Sequence, residues 1–113
     1  MLSILSPAKT LDFESKCDFT RSTVPFFLQE STELISELRK FDLKDLGVVM
    51  QLSDKLSKLN LKRYQSWTTS FTQSNSRQSV FCFKGGVYKG LEVDSFSKED
   101  LVYSQDYLRI LSG

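Results

Sequence analysis

Strand character is concentrated in two short segments near opposite ends of the chain, Leu2–Leu5 and Ser79–Lys84, with helical patterning between and after them. That arrangement argues for an α/β chain of mixed α+β character rather than a bundle. Two strands do not make a stable sheet. Either further strands lie within the apparent loops, or the sheet is completed by residues outside this sequence. At 113 residues the chain reads as one domain, large enough to bury a core without disulfide staples.

The first strand ends at Ser6-Pro7-Ala8-Lys9-Thr10, because proline cannot donate to a ladder. Loops at strand C-termini are where open α/β sheets place ligands, so Ser6, Lys9 and Thr10 are candidate site residues. Ser22-Thr23-Val24-Pro25 reads as a helix start, capped by Ser22 or Thr23 with Pro25 in the first turn. Phe27, Leu34, Ile35 and Leu38 share one helical face, and the helix should end near Lys40.

Asp42 is positioned to cap a second helix carrying Leu43, Leu46, Val49 and Met50. The helical face continues through Leu52, Leu56 and Leu59, and Asn60 is expected to stop it before a further short helix over Leu61–Trp67. Ser66–Ser79 is a polar loop. After the second strand, Gly85-Gly86 breaks the chain, Val87–Leu91 forms a short turn or half-helix, and Ser97–Asp100 resembles a capping box. The last helix should present Leu101, Ser104, Leu108 and Leu111 on one face, with Gly113 as a natural C-terminal cap.

Composition removes several chemistries. The chain has no histidine, which excludes Ser/His/Asp and Cys/His catalysis and histidine metal sites within it. Its two cysteines, Cys17 and Cys82, cannot complete a four-ligand zinc site. Asp12, Glu14, Cys17 and Asp18 are better read as a solvated loop than as an iron site. No catalytic residue, metal ligand or cofactor is assigned. A formal charge of +1 supplies no global field toward nucleic acid or membrane, so any such affinity must be local. No apolar run approaches membrane-helix length and no signal segment opens the chain, so a cytoplasmic address is expected.

Two local cationic constellations stand out. Lys55, Lys58, Lys62 and Arg63 surround Asn60 with no acid among them. If Asn60 marks a turn, the helix after it offers free N–H groups to a DNA phosphate, flanked by those cations. The other is Lys84-Gly85-Gly86-Val87-Tyr88-Lys89-Gly90, which lacks the spacing of a phosphate-binding P-loop. If the first and late strands were neighbours, Ser6, Lys9, Thr10, Lys84 and Lys89 would form an anion pocket.

The opening Leu-Ser-Ile-Leu-Ser-Pro-Ala-Lys-Thr-Leu-Asp-Phe, the central Ser-Asp-Lys-Leu, the Phe-Lys-Gly-Gly-Val-Tyr-Lys-Gly-Leu run and the closing Leu-Arg-Ile-Leu-Ser-Gly resemble the YaaA family of peroxide-stress proteins. The resemblance spans essentially the whole chain. It implies a cytosolic bacterial protein that limits oxidative damage by holding down unincorporated iron. It also implies a family-specific mixed fold with a positive cleft and a DNA-binding helix-hairpin-helix element, placed here at about residues 43–67. Such turns favour glycine, whereas Lys58 and Asn60 occupy the expected turn. Family members are more than twice this length, so the resemblance further implies that residues 1–113 are an incomplete, N-terminal portion of the fold.

The leading expectation is therefore a DNA-associated stress protein without catalytic turnover. An enzyme acting on a nucleotide or other phosphorylated small molecule at a Lys9/Lys84 pocket is the alternative. Oligomeric state is not legible.

Overall fold

The computed structural model describes residues 1–112, and the expected cap at Gly113 lies outside them. The chain divides into two compact units, Val24–Phe71 and, separately, Met1–Thr23 with the residues from Thr72 onward. Both helices and small strands are present, as a mixed α+β reading requires.

The unit Val24–Phe71 contains three helices: α1 (Leu28–Leu38), α2 (Leu43–Met50) and α3 (Asp54–Ser66). Helix α1 starts later than its sequence suggests, with Phe27 at the N-cap and no side-chain cap. Residues 21–27 are all exposed and Leu28 is the first half-buried position. Burial, rather than the nearby Ser22, Thr23 and Pro25, therefore sets the helix start. Helix α2 does begin at its expected cap, where an Asp42 carboxylate oxygen accepts from the Asp45 amide at 2.8 Å.

The turn between α2 and α3 is Gln51–Ser53, not the segment around Asn60. Gln51 takes a left-handed conformation (φ 52°), Leu52 N–H returns to Gly47 O at 3.0 Å, and Ser53 caps α3 through the Leu56 amide. Asn60 stands in the middle of α3. Its side-chain amide donates to Leu56 O at 2.9 Å, a bond made within the helix, so nothing drives the backbone out of it. The expected pair of short helices is thus one thirteen-residue helix.

Helices α2 and α3 pack against each other, with Leu46 fully buried and Ser57 1% exposed. Gly47 permits that approach, since a Cβ there would lie 3.0 Å from Ser57 Oγ. Arg39, just past α1, supplies the other tie. Its guanidinium donates to Tyr64 O at 2.7 Å and Trp67 O at 2.6 Å, satisfying carbonyls at the C-terminal end of α3.

In the other unit, β1 (Ser3–Leu5) pairs in parallel with β4 (Leu108–Ile110), Ile4 lying opposite Arg109. β2 (Thr10–Leu11) pairs antiparallel with β3 (Phe83–Lys84), Thr10 opposite Lys84. The first strand is therefore the neighbour of the chain's last strand, not of the segment after Ser79. Two expectations fail here. Ser79–Cys82 forms a single helical turn, α4, leaving only Phe83–Lys84 extended. That turn buries Cys82 and sets Phe81 against Phe19, ring centroids 6.4 Å apart, which overrides the β-propensity of Val80 and Phe81.

Helix α5 (Gly86–Leu91) and a 3₁₀ turn (Val93–Ser95) lead to α6 (Lys98–Tyr107). The capping box forms with aspartate in place of glutamate: Ser97 Oγ accepts from Asp100 N at 3.1 Å, and Asp100 Oδ2 accepts from Ser97 N at 2.9 Å. Helix α6 stops at Tyr107, so Leu108 belongs to β4 rather than to a helical face. Parallel pairing with β1, carried one residue further by Leu111 N to Leu5 O at 3.0 Å, wins over helical periodicity there. The unit's small core is Cys82, Tyr88 and Val93. No helix of the described residues is long and apolar enough to cross a membrane.

Candidate functional site

Because α3 is continuous, its cations are arranged by helical geometry alone. Lys55, Lys58 and Lys62 fall within an arc of about 60° and extend along about 10 Å of the axis. Arg63 stands about 80° from Lys55 and about 140° from Lys58, outside the stripe, and Asn60 lies about 140° from Lys55. All four cations are exposed, while Asn60 is half-buried and occupied by its bond to Leu56 O. Among the described residues none of these cations has a salt-bridge partner.

The expected anion site at a helix N-terminus near Asn60 does not exist, since that residue lies in mid-helix. The true N-terminus of α3 is already served by Ser53 Oγ and by Asp54 in the first turn. The exposed positive charge of α3 is therefore a lysine stripe along the helix and not a feature of its end.

A second cluster lies where β2 meets β3. Asp12 follows β2, and its carboxylate accepts from the amides of Glu14 (3.0 Å) and Ser15 (2.9 Å) and from the Ser15 hydroxyl. Arg77 Nη1 stands 3.8 Å from one Asp12 oxygen, and Lys84 Nζ stands 3.9 Å from the other. The Ser15 hydroxyl, the Ser15 and Glu14 amides and, further out, the Arg77 charge hold the Asp12 carboxyl far below the usual carboxylate range. The largely buried Arg77 also donates to Ser15 O and, at 3.4 Å, to Asp12 O, while its Nε has no partner among the described residues.

Of the expected pocket residues, Thr10 and Lys84 face each other across the β2–β3 ladder, and Lys9 precedes Thr10 in the chain. Ser6 is reached by Tyr88, whose hydroxyl donates to Ser6 O at 2.6 Å, and burial pushes the Tyr88 phenol up. Gly85, at φ 147°, lets the chain turn against Ala8, 3.6 Å from where a Cβ would stand. Lys89 is exposed on α5. Lys84 differs from the expectation in one respect: an aspartate already accompanies it. Asp12 and Arg77 are not evident in the sequence, because Asp12 sits in an ordinary polar stretch and Arg77 in the polar loop. Only pairing of β2 with β3 brings them together.

The family model for the peroxide stress protein YaaA matches residues 1–113, the whole chain. The chain belongs to the YaaA family. In this YaaA chain two of the sequence segments that carry the likeness, Ser6–Asp12 and Phe83–Leu91, are one physical site. The β2–β3 ladder, the Tyr88 to Ser6 bond, the Gly85 contact with Ala8 and the Asp12–Lys84 pair all join them. A third, Ser53-Asp54-Lys55-Leu56, is the cap and first turn of α3 in the other unit.

Proposed function

We propose that this YaaA-family peroxide stress protein limits oxidative damage by lowering intracellular free iron and associates with DNA, without sequence preference, through the exposed face of α3. The observation that carries the DNA reading is the stripe Lys55–Lys58–Lys62, with Arg63 further round the helix, all exposed and free of acidic partners among the described residues. Cations held on a rigid helix position a protein on phosphates without reading bases. The expected helix-hairpin-helix-like role passes from the segment around Asn60 to α2, the Gln51–Ser53 turn and α3. Lys55, Lys58, Lys62 and Arg63 remain its DNA contacts, and Asn60 does not.

The experiment is a gel-shift titration of duplex DNA with the chain and its variants. Replacing Lys55, Lys58 and Lys62 together by Ala should remove most of the affinity, and Arg63→Ala alone should cost less. Unchanged binding by the triple variant would remove this helix from the interface. The alternative, turnover of a nucleotide or phosphorylated small molecule at Lys9 and Lys84, is less well supported, because Asp12 already faces Lys84.

A further inference from the structure

A groove of about 440 Å³ opens beside β3, within the volume range of small-molecule sites. Val80 and Phe83 give it an apolar wall, with the buried Tyr88 and Val93 also among its lining. The remaining lining includes charges of both signs: Lys84 and Lys89, Glu92 and Asp94. Among the described residues Lys89, Glu92 and Asp94 form no salt bridge, so the opposite charges do not cancel each other. Lys84 is partly neutralised by Asp12. A phosphate dianion would therefore meet one free lysine and two carboxylates, which is the wrong balance.

Glu92 adds an independent observation. It ends α5 in the left-handed conformation (φ 49°, ψ 44°), where glycine or asparagine is the less strained choice. Its carbonyl accepts both the amide and the hydroxyl of Ser95, each at 2.8 Å, which fixes that conformation. The fold thus carries a residue in a strained conformation on the lining of the groove.

We propose that this groove binds a small zwitterion with an apolar body, its carboxylate toward Lys89 and Lys84, its ammonium toward Glu92 and Asp94, and its body against Val80 and Phe83. The groove shares no residue with α3, so its test and the DNA test fail independently.

The probe is L-phenylalanine, titrated into the full chain and followed by amide chemical shifts. Phenylpropionate, which lacks the ammonium, and phenethylamine, which lacks the carboxylate, are the comparison compounds. L-Phenylalanine should shift groove amides and bind about tenfold or more tightly than either, because each loses one charge-assisted contact. Glu92→Gln and Lys89→Ala should each weaken it by a similar factor. Glu92→Gly should raise the thermal midpoint while weakening binding, since glycine relieves the left-handed strain. Absence of binding, equal binding of a singly charged analogue, wild-type affinity in Glu92→Gln, no rise in midpoint for Glu92→Gly, or AMP binding as tightly as L-phenylalanine would each overturn the proposal.

Discussion

Gly47 lies against Ser57 so closely that a methyl group on Gly47 would stand 3.0 Å from the Ser57 hydroxyl oxygen. Glycine within a helix costs about 1 kcal/mol relative to alanine, so its presence in α2 reflects the approach of α3. Gly47→Ala should destabilise the chain by about 1 kcal/mol, because crowding at this crossing outweighs the propensity gained. In a Ser57→Ala background the nearest remaining Ser57 atom is 3.9 Å away. There Gly47→Ala should be neutral or stabilising. Denaturant titration of the four proteins gives the coupling directly, and additive effects would contradict it.

Arg39 satisfies carbonyls at the end of α3 that the helix itself cannot. Arg39→Ala should cost about 1 kcal/mol, a modest figure because the guanidinium is exposed. Arg39→Lys should recover little, since an ammonium cannot span Tyr64 O and Trp67 O with a planar fork. Thermal unfolding of both variants checks this, with full recovery in the lysine variant as the contrary result.

Gln51 closes the α2–α3 turn at φ 52° without being glycine. Gln51→Gly should stabilise the chain by about 0.5–1 kcal/mol, the relieved strain exceeding the extra entropy of the unfolded chain. A lower denaturation midpoint would show that the Gln51 side chain contributes more than its backbone strain costs.

Asp12 has a folded-state pKa below its unfolded value, held down by the Ser15 hydroxyl and neighbouring amides. A depressed carboxyl contributes stability that is fully present above the unfolded pKa, about 4, and is lost as pH falls toward the folded value. Stability should therefore be flat above about pH 5 and fall as the solution is acidified below about pH 4. Asp12→Asn should lower stability at neutral pH and flatten the acid limb. Asp100, lowered by the Ser97 amide and hydroxyl, leaves a residual slope of the same sign. An unchanged acid limb in Asp12→Asn would show that Asp12 is not the group responsible.

If Lys55, Lys58 and Lys62 each neutralise one phosphate of duplex DNA, the logarithm of the binding constant should fall with the logarithm of salt concentration at a slope of about −3. Removing Lys58 alone should reduce that slope by about one. Fluorescence anisotropy across a salt series measures both, and a slope near zero would exclude phosphate contacts by this stripe.

Some local signals, where a side chain or a glycine acts on its own backbone neighbours, were legible. Asp42 capping α2, the Ser97–Asp100 box and the break at Gly85 all follow from chemistry spanning a few residues. The Lys55–Arg63 cations were visible as a cluster, but their geometry was misplaced. Asn60 has two ways to satisfy its amide, in a turn or back along a helix, and no local signal chooses between them. In the folded chain its amide donates back to Leu56 O, and α3 runs on through that point.

The remaining differences have the same origin. Val80 and Phe81 favour a strand and Leu108 fits a helical stripe, yet the first pair forms a helical turn and Leu108 pairs with Ser3. Long-range contacts outweigh propensities of a few tenths of a kcal/mol per residue. The sequence alone determined the mixed class, the Asp42 and Ser97–Asp100 caps, the excluded histidine chemistries and the cationic segments, because these depend on composition and on neighbours along the chain. Tertiary structure alone decided that Asp12 faces Lys84 and Arg77, and that β1 lies beside β4. Those juxtapositions depend on which strands pair, and pairing is settled by the burial of residues far apart in sequence.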